Sequence, residues 1–256
     1  MAAMVSAHAT PQFQNPGNLT GWHLMTQDKG TVKIVPGTES DPSYKPGETQ
    51  IACTQIFDPD YTNQDTTGKG KNRYHSELVH ACATYGSTWY YGFAFRLMPG
   101  WEFDDQHYNI AQFNAGFRDP GVGYIPITMI WLKGNQLNTR TGEGVVPGRK
   151  TTPYENLATV TAGEWHRVEL QVHWVNDTTG FFKFWYDGKL LLDKENLPTD
   201  YQSKNATQPK IDLRVGLYAN GWHDDGHMVG TQGTRTIYYA HIGSGSTFPD
   251  ADPASW

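Results

Sequence analysis

The chain has 256 residues, of which 13% are aromatic and 18% are charged, and its formal net charge is -6. This acidic balance argues against nucleic acid or an anionic membrane as a partner, and no apolar run of about 18 residues predicts a membrane span. With 27 Gly and 15 Pro residues, the composition favours short strands joined by turns over an all-α fold.

The sequence has no internal repeat and no break in composition that would mark a linker, so a single domain is predicted. Residues 1–12 lack the basic start and long apolar stretch of a signal peptide. We interpret them as a remnant of cloning or of N-terminal processing. Residues 13–256 are assigned to the domain, which is expected to be a monomer.

Cys53 and Cys82 are the only cysteines, and because they form no CxxC pair, a metal site is not expected. A disulfide between them is predicted instead. Three Asn-x-Thr sequons, at Asn18, Asn176 and Asn205, agree with a secreted, extracellular glycoprotein.

From about Arg73 onward, apolar and polar side chains alternate with a period of two in several short segments, which is typical of the strands of a β-sandwich. In the first segment, 72–79, charged side chains share one face: Arg73, His75 and Glu77 lie opposite Tyr74, Ser76 and Leu78. Such a face is either a solvated outer surface or part of a binding site.

Positive charge collects around this first strand in spite of the acidic whole. Lys69, Lys71 and Arg73 precede or enter it, and Arg118 follows a later strand. This distribution suits a polyanionic substrate, and the alternative is lysines scattered for solubility.

The following segments each have one apolar face. In 89–97 that face is formed by Tyr91, Phe93, Phe95 and Leu97. In the short segment 110–113, Phe113 is the predicted core anchor, and Ile110, Gln112 and Asn114 share the opposite side.

A regular alternation over 166–174 puts His166, Val168, Leu170, Val172 and Trp174 on the inner side of a strand. After it, Phe181–Tyr186, the pair Asp187-Gly188 and Lys189–Leu192 predict a β-hairpin with a tight two-residue turn.

In 211–220, Leu213, Val215 and Leu217 form an apolar face, so the other residues project to the opposite side: Arg214, Gly216, Tyr218 and Asn220. A glycine beside a tyrosine on a polar face predicts room for a ligand to lie against the sheet.

Two glycine-containing stretches, 114–123 and 221–233, are predicted to be loops that border a cleft, and 236–242 is predicted to be a closing strand. The second loop carries a polar cluster: Trp222, His223, Asp224, Asp225 and His227. Its spacing matches neither a zinc-protease helix nor an EF-hand, so we interpret it as a sugar-contacting loop.

Three of these segments resemble the motif strands of jelly-roll polysaccharide lyases, including the alginate and heparin lyases. They are Arg73-Tyr-His75-Ser-Glu77-Leu, Ala111-Gln112-Phe113-Asn114 and Arg214-Val-Gly216-Leu-Tyr218-Ala-Asn220-Gly-Trp222. The stretch Trp165–Trp174, followed by Phe184-Trp-Tyr-Asp-Gly-Lys189, is especially similar to the fungal glucuronan lyases. The similarity runs from about Trp22 to Gly245.

The resemblance implies an all-β fold: a concanavalin-like jelly-roll sandwich of two antiparallel sheets with few short helices, and with substrate lying across the concave sheet. It implies cleavage of β-1,4-linked polyglucuronate or a related polyuronate by β-elimination. Where many alginate lyases carry Gln-Ile-His, this chain has Gln112-Phe113-Asn114. The histidine base of those enzymes is therefore in doubt here.

Such an elimination requires removal of the C5 proton, stabilisation of the charged carboxylate and protonation of O4. Gln112 and Asn114 offer amide donors and Arg73 offers a charged fork for the carboxylate. Tyr218 is the predicted base and acid, which requires that positive charge from Arg73, His75 or Arg214 lower its pKa. In the alternative, His75 removes the C5 proton and Tyr218 is only the acid.

The remaining predicted site residues have supporting roles. Glu77 is expected to hold Arg73 or His75 in place, with a surface ion pair as the alternative. The residues predicted to bind substrate are Asn114, Arg214, Asn220, Trp222, Arg118 and Lys71. No cofactor is required for this chemistry, and a structural calcium ion is implied by the resemblance alone.

Two other functions compete with the lyase. A sandwich glycoside hydrolase needs two carboxylates facing one cleft, and the strand glutamates in reach, Glu77 and Glu169, lie on different predicted strands. A lectin-like carbohydrate-binding domain needs the cleft but no proton-transfer group.

Overall fold

The computed structural model describes residues 13–27, 29–37, 48–58, 73–117, 123–204 and 209–255. In chain order the strands are β1 (Phe13–Asn15), β2 (His23–Thr26), β3 (Thr31–Pro36), β4 (Thr49–Ile56), β5 (His75–Thr84), β6 (Thr88–Leu97), β7 (Tyr108–Gly116), β8 (Tyr124–Lys133), β9 (Gln136–Glu143), β10 (Lys150–Thr159), β11 (Trp165–His173), β12 (Phe181–Tyr186), β13 (Lys189–Glu195), β14 (Lys210–Tyr218) and β15 (Thr234–Gly245). The helices are α1 (Asn220–Asp224) and α2 (Phe248–Ala251), and a 3₁₀ turn spans Pro253–Ser255.

The strands form two antiparallel sheets. The front sheet has the order β10-β9-β8-β7-β14-β5-β2. The back sheet has the order β13-β12-β11-β6-β15-β4-β3, and β1 pairs with β15. The predicted all-β sandwich of two antiparallel sheets with few short helices is therefore confirmed.

The core lies between the sheets and is built from the faces that the alternation predicts. On β6, Tyr91, Phe93, Phe95 and Leu97 are fully buried. The inner faces of β11 and β14 are likewise buried. Successive residues of a strand point to opposite faces, so the residues between these inner ones lie on the outer faces of the sheets. On β14 this parity puts Tyr218 on the outer face of the front sheet.

The predicted hairpin is present as β12 and β13. Asp187 and Gly188, at its turn, have φ values of 49° and 77°. Both central residues of a type I′ turn need positive φ, which Asp tolerates and Gly adopts freely, so the Asp-Gly pair fixes the turn.

The predicted disulfide is wrong. Cys53 and Cys82 are both free and buried, because they pack against opposite ends of β14. Cys82 Sγ donates to the carbonyl of Ile211 at 3.5 Å, whereas the thiol of Cys53 is hydrogen-bonded to the backbone of Leu217. Six residues of strand separate those two positions by about 20 Å. Burial raises the pKa of both thiols, so they are inert core groups.

The sequence analysis missed strands β1 to β4 and β8 to β10, and both predicted loops are shorter than expected. In the first, β7 continues to Gly116 and β8 starts at Tyr124. The second starts with helix α1 rather than with irregular chain.

Candidate active site

A pocket of about 280 Å³ opens on the outer face of the front sheet. Strands β7, β8, β9 and β14, the chain before β5 and helix α1 contribute to its wall. The lining residues are Arg73, His107, Asn109, Pro126, Met129, Trp131, Arg140, Tyr218, Asn220 and Asp224. The wall contains two arginines, Arg73 and Arg140, and one carboxylate, Asp224. Positive charge is therefore in excess, which favours an anionic ligand.

The centre of the site is a row of side chains on adjacent strands. In register, His75 pairs with Tyr218, Tyr218 with Asn109, and Asn109 with Trp131. Neighbouring strands lie about 4.8 Å apart, so the row crosses the sheet at right angles to the strands. It brings the predicted Tyr218 and His75 together and adds two residues that the sequence analysis did not select.

Tyr218 is 6% exposed and its ring stacks on that of His75, with 4.0 Å between the ring centroids. Burial raises the pKa of Tyr218 to about 12, although the charge and hydrogen bond of Arg73 oppose that rise. The expectation that nearby positive charge brings this pKa below its ordinary value is therefore wrong. In the free protein Tyr218 carries its proton and is prepared to act as an acid.

His75 is held by Glu77, which is fully buried beside it. Nδ1 of His75 lies 2.5 Å from Oε2 of Glu77, and Nε2 of Gln112 donates to Oε1 of Glu77 at 2.7 Å. Burial alone would raise the pKa of Glu77, but His75, Arg214 and Gln112 together hold it below its ordinary value. An ionised Glu77 accepts a hydrogen bond from Nδ1–H of His75 and so fixes the orientation of the ring, with Nε2 on the side away from Glu77.

Two β-bulges bring Tyr218 and Asn109 into register. One lies on β7 between Asn109 and Ala111, and the other on β14 between Val215 and Tyr218. Gly216 in the second bulge has a φ of 145°, and a Cβ there would lie 2.2 Å from the Ser76 carbonyl. The glycine thus makes room for the neighbouring strand rather than for a ligand, which corrects the predicted role of Gly216.

The bulges are connected to the back sheet by Tyr239 on β15. Its hydroxyl is fully buried between the sheets, 2.7 Å from the carbonyl of Ile110 and 3.0 Å from that of Gly216. Since a bulge leaves ladder carbonyls without strand partners, this hydroxyl stabilises both irregularities at once.

Arg214 and Asn114 continue the outer face beyond the pocket. Arg214 pairs in register with Gln112, and its guanidinium lies 5.5 Å from the ring centroid of Tyr124. Asn114 is 2% exposed and pairs with Asp212. The predicted substrate-binding residues Lys71 and Arg118 lie outside the described residues.

Asn220 and Trp222 begin helix α1, and the structure separates them. Asn220 lines the pocket. Trp222 is 1% exposed, and its Nε1 donates to the Tyr108 hydroxyl at 3.1 Å. The structure therefore places Trp222 in the aromatic core, where it supports the site from behind and cannot stack on a sugar.

The sequence analysis missed six lining residues: His107, Asn109, Pro126, Met129, Trp131 and Arg140. Asn109 had a signal, because the two apolar residues Ile110 and Ala111 interrupt the alternation, as a bulge does. The other five had none. Four of them lie on β8 and β9, which the sequence analysis did not predict, and His107 lies in the chain before β7. Partial burial lowers the pKa of His107, and Lys133 adds to the effect.

The implied calcium ion finds no ligand set in the part of the chain that the structure describes. No group of three or more His, Cys, Asp or Glu side chains there is arranged to hold a metal ion. In the polar cluster, Asp225 Oδ2 instead accepts a hydrogen bond of 2.7 Å from Gln106.

A family model described as Polysaccharide lyase matches residues 14–243. The chain belongs to this family of polysaccharide lyases. Among solved structures, an endo-beta-1,4-glucuronan lyase from the fungus Trichoderma reesei is 41% identical, with a TM-score of 0.83 over 96% of this chain and 100% of that chain. The resemblance read from the motifs is thus confirmed.

More distant structures share the fold of this lyase. A family 7 alginate lyase in complex with product is 12% identical, with a TM-score of 0.51 over 77% of this chain and 80% of that chain. A carbohydrate esterase from Shiga toxin-encoding bacteriophage phi24B is 13% identical, with a TM-score of 0.51 over 93% and 99% of the two chains. The same sandwich thus occurs with different activities.

A comparison with curated proteins found no match. Among the described residues of this lyase, no helix is long and apolar enough to cross a membrane.

Proposed function

We propose that this polysaccharide lyase cleaves β-1,4-linked polyglucuronate, or a closely related polyuronate, by β-elimination within the chain. The proposal is supported by the similarity to a glucuronan lyase at 41% identity and by the arginines in the pocket wall. The observation that carries it is the stacking of His75 on Tyr218, which lines that wall.

In the proposed reaction the C5–H bond breaks and its electron pair forms the C4–C5 double bond, while the C4–O4 bond breaks and O4 takes a proton. Tyr218, whose pKa is about 12, delivers the proton to O4. His75, oriented through Nδ1 by Glu77, takes the proton from C5. The two rings are stacked, so both transfers occur on one side of the sugar, as a syn elimination of β-1,4-linked glucuronate requires.

Arg73 has two parts in this proposal. It stabilises charge on Tyr218 after the hydroxyl gives up its proton, since its charge lowers the pKa of Tyr218. Its guanidinium also suits a uronate carboxylate, which binds such a planar fork through two hydrogen bonds.

A hydrolase function is disfavoured because the two glutamates considered as its catalytic pair, Glu77 and Glu169, lie in different sheets. Glu77 is on β5 of the front sheet and Glu169 is on β11 of the back sheet. A hydrolase pair needs both carboxyl groups within about 10 Å across one cleft. A lectin-like domain would not require a buried imidazole anchored by a carboxylate.

We further propose that the enzyme acts outside the cell, because a polymer of uronates does not cross a membrane. We also propose that it is a monomer. Sequon residues Asn18 and Asn176 are partly exposed, which suits glycan attachment. Asn205 lies outside the described residues. A structural calcium ion remains a proposal without assigned ligands.

The test is incubation with β-1,4-glucuronan, alginate and heparin while the ultraviolet absorbance of unsaturated uronate is followed. A rise on glucuronan, with mid-sized early products by size-exclusion chromatography, is expected. Tyr218→Phe should lower turnover by roughly 10²- to 10⁴-fold while polymer binding persists. Tyr85→Phe is the control, because the Tyr85 hydroxyl bonds Asn176 away from the pocket.

Absence of product on all three polymers would refute the proposed function. Full activity of Tyr218→Phe would remove Tyr218 from the chemistry. Full activity of a His75→Gln variant would assign both proton transfers to Tyr218.

A further inference from the structure

Asn109 is the one amide that the row of site residues places beside Tyr218. The two residues are paired in register on β7 and β14, and both line the pocket. Asn109 is 1% exposed, and its Nδ2 has no hydrogen-bond partner among the described residues. An amide N–H that is buried without an acceptor costs about 1–3 kcal/mol, so its place at a pocket wall points to an acceptor supplied by a ligand.

Gln112, the amide that the motif suggests, is already engaged. Its Nε2 donates to Glu77 at 2.7 Å, and its backbone is in register with Arg214 rather than with Tyr218. One of the two N–H donors of this amide is therefore committed to orienting the His75–Glu77 pair. Gln112 also does not contribute to the pocket wall.

We propose that Asn109 is the catalytic amide that donates to the uronate carboxylate as negative charge builds up on it in the transition state. This inference rests on the proposed lyase function and assigns the stabilising task to Asn109 in place of Gln112. Gln112 becomes a positioning residue that acts through Glu77.

The geometry of the site fits this assignment because the acidic proton and the carboxylate group of the uronate are both bonded to C5. The base that takes the C5 proton and the group that binds the carboxylate must therefore both lie close to C5. His75 stacks on Tyr218, and Tyr218 is in register with Asn109 at a backbone distance of about 4.8 Å, so the three side chains form one row beside the sugar. Arg73, which also lines the pocket and contacts Tyr218, adds the positive charge that a neutral amide lacks.

Asn220 offers the pocket a hydrogen-bond acceptor, whereas Asn109 offers a donor. Oδ1 of Asn220 is buried with no partner among the described residues, and Asn220 lines the same wall. An acceptor there suits a sugar hydroxyl, which can donate, whereas a carboxylate cannot. The two asparagines thus differ in what they can bind, and this difference sets the orientation of the uronate ring.

The test compares turnover of Asn109→Ala and Asn109→Asp with wild type on β-1,4-glucuronan, with kcat and KM measured separately. Loss of one donor to a developing oxyanion lowers kcat by roughly 10²- to 10³-fold. We expect that loss for Asn109→Ala with little change in KM. A larger loss is expected for Asn109→Asp, because its carboxylate repels that of the substrate.

The matched comparison is Asn114→Ala, on the same strand, whose Nδ2 is also buried without a described partner but which does not line the pocket. A kcat loss at Asn109 no greater than that at Asn114, or a change confined to KM, would overturn the inference. Thermal unfolding of each variant identifies losses due to misfolding, and in that event Asn109→Ser carries the same test. If wild type itself yields no unsaturated product, the proposed function fails instead.

Discussion

Two buried glutamates, one on the outer face of each sheet, show how differently this fold treats a carboxylate. Glu77 on the front sheet is 0% exposed and Glu169 on the back sheet is 1% exposed. Both oxygens of Glu77 are hydrogen-bonded, and neighbouring positive groups hold its pKa below the ordinary value in spite of burial.

Glu169 is less well supported, although the charge of Arg167 partly opposes the rise in its pKa that burial causes. Neither of its oxygens has a hydrogen-bond donor among the described residues, and burial together with Asp252 raises its pKa to about 8. The C-terminal segment covers it, because a Cβ on Gly92, its partner in register, would lie 2.2 Å from the Ala251 carbonyl. Burial alone therefore does not mark a functional carboxylate, whereas a charged one surrounded by donors does.

The largest effect is expected when Glu77 is replaced by glutamine. The change leaves His75 without its anionic anchor, and loss of the carboxylate that orients a catalytic histidine lowers turnover by up to ~10⁴-fold in the serine proteases. We expect Glu77→Gln to lower kcat on glucuronan by at least ~10²-fold. Kinetics of the purified variant measure this.

Glu169→Gln is the control for that prediction, since it is an identical substitution at an equally buried site that does not contact the pocket. Its turnover should equal that of wild type. Equal losses in the two variants would mean that both act through stability, and the distinction between the glutamates would be lost.

A second prediction concerns how the back sheet positions the active site. Tyr239→Phe removes the hydroxyl that binds the bulge carbonyls of Ile110 and Gly216, on which the alignment of Tyr218 with Asn109 depends. Unpaired buried carbonyls should lower stability by about 1–3 kcal/mol. Small misplacement of reacting groups lowers rates by up to ~10²-fold, so kcat should fall by roughly 10-fold or more.

Tyr91→Phe is the matched variant, because the Tyr91 hydroxyl is equally buried but accepts from Trp174 within the core. Denaturant unfolding and kcat are measured for both. The expected result is a similar loss of stability but a fall in kcat for Tyr239→Phe alone. If the two variants retain the same kcat, the bulges do not position the site.

The strand parity that carries Tyr218, His75 and Glu77 could be predicted because their segments alternate without interruption. Asn109 was missed because a bulge shifts the parity between it and Gln112, so an unbroken alternation puts Ile110 on the wrong side. Trp131 and Arg140 were missed because their strands, β8 and β9, were not predicted, and only the pairing of β7 with the distant β14 brings them to the same face as Tyr218. Trp222 was misassigned because a polar sequence neighbourhood does not reveal that a ring packs inward.

Glu169 supports a final, smaller prediction, on stability rather than turnover. Its pKa is about 8 in the folded protein against 4.5 ordinarily. Between these values the folded chain holds a proton that the unfolded chain has released, so stability falls as pH rises through this window. At about 1.4 kcal/mol per unit, the full effect is on the order of a few kcal/mol.

Glu169→Gln removes this titration. The variant should match wild type below about pH 4.5, where the carboxyl is protonated in both states, and exceed it above pH 8. Thermal unfolding of both proteins from about pH 5 to about pH 9 measures the difference. Burial also raises the pKa of Asp200 to about 8, so the variant keeps part of the slope. Parallel curves would mean that Glu169 finds a counter-charge, as Glu77 does, and the contrast between the two faces would fail.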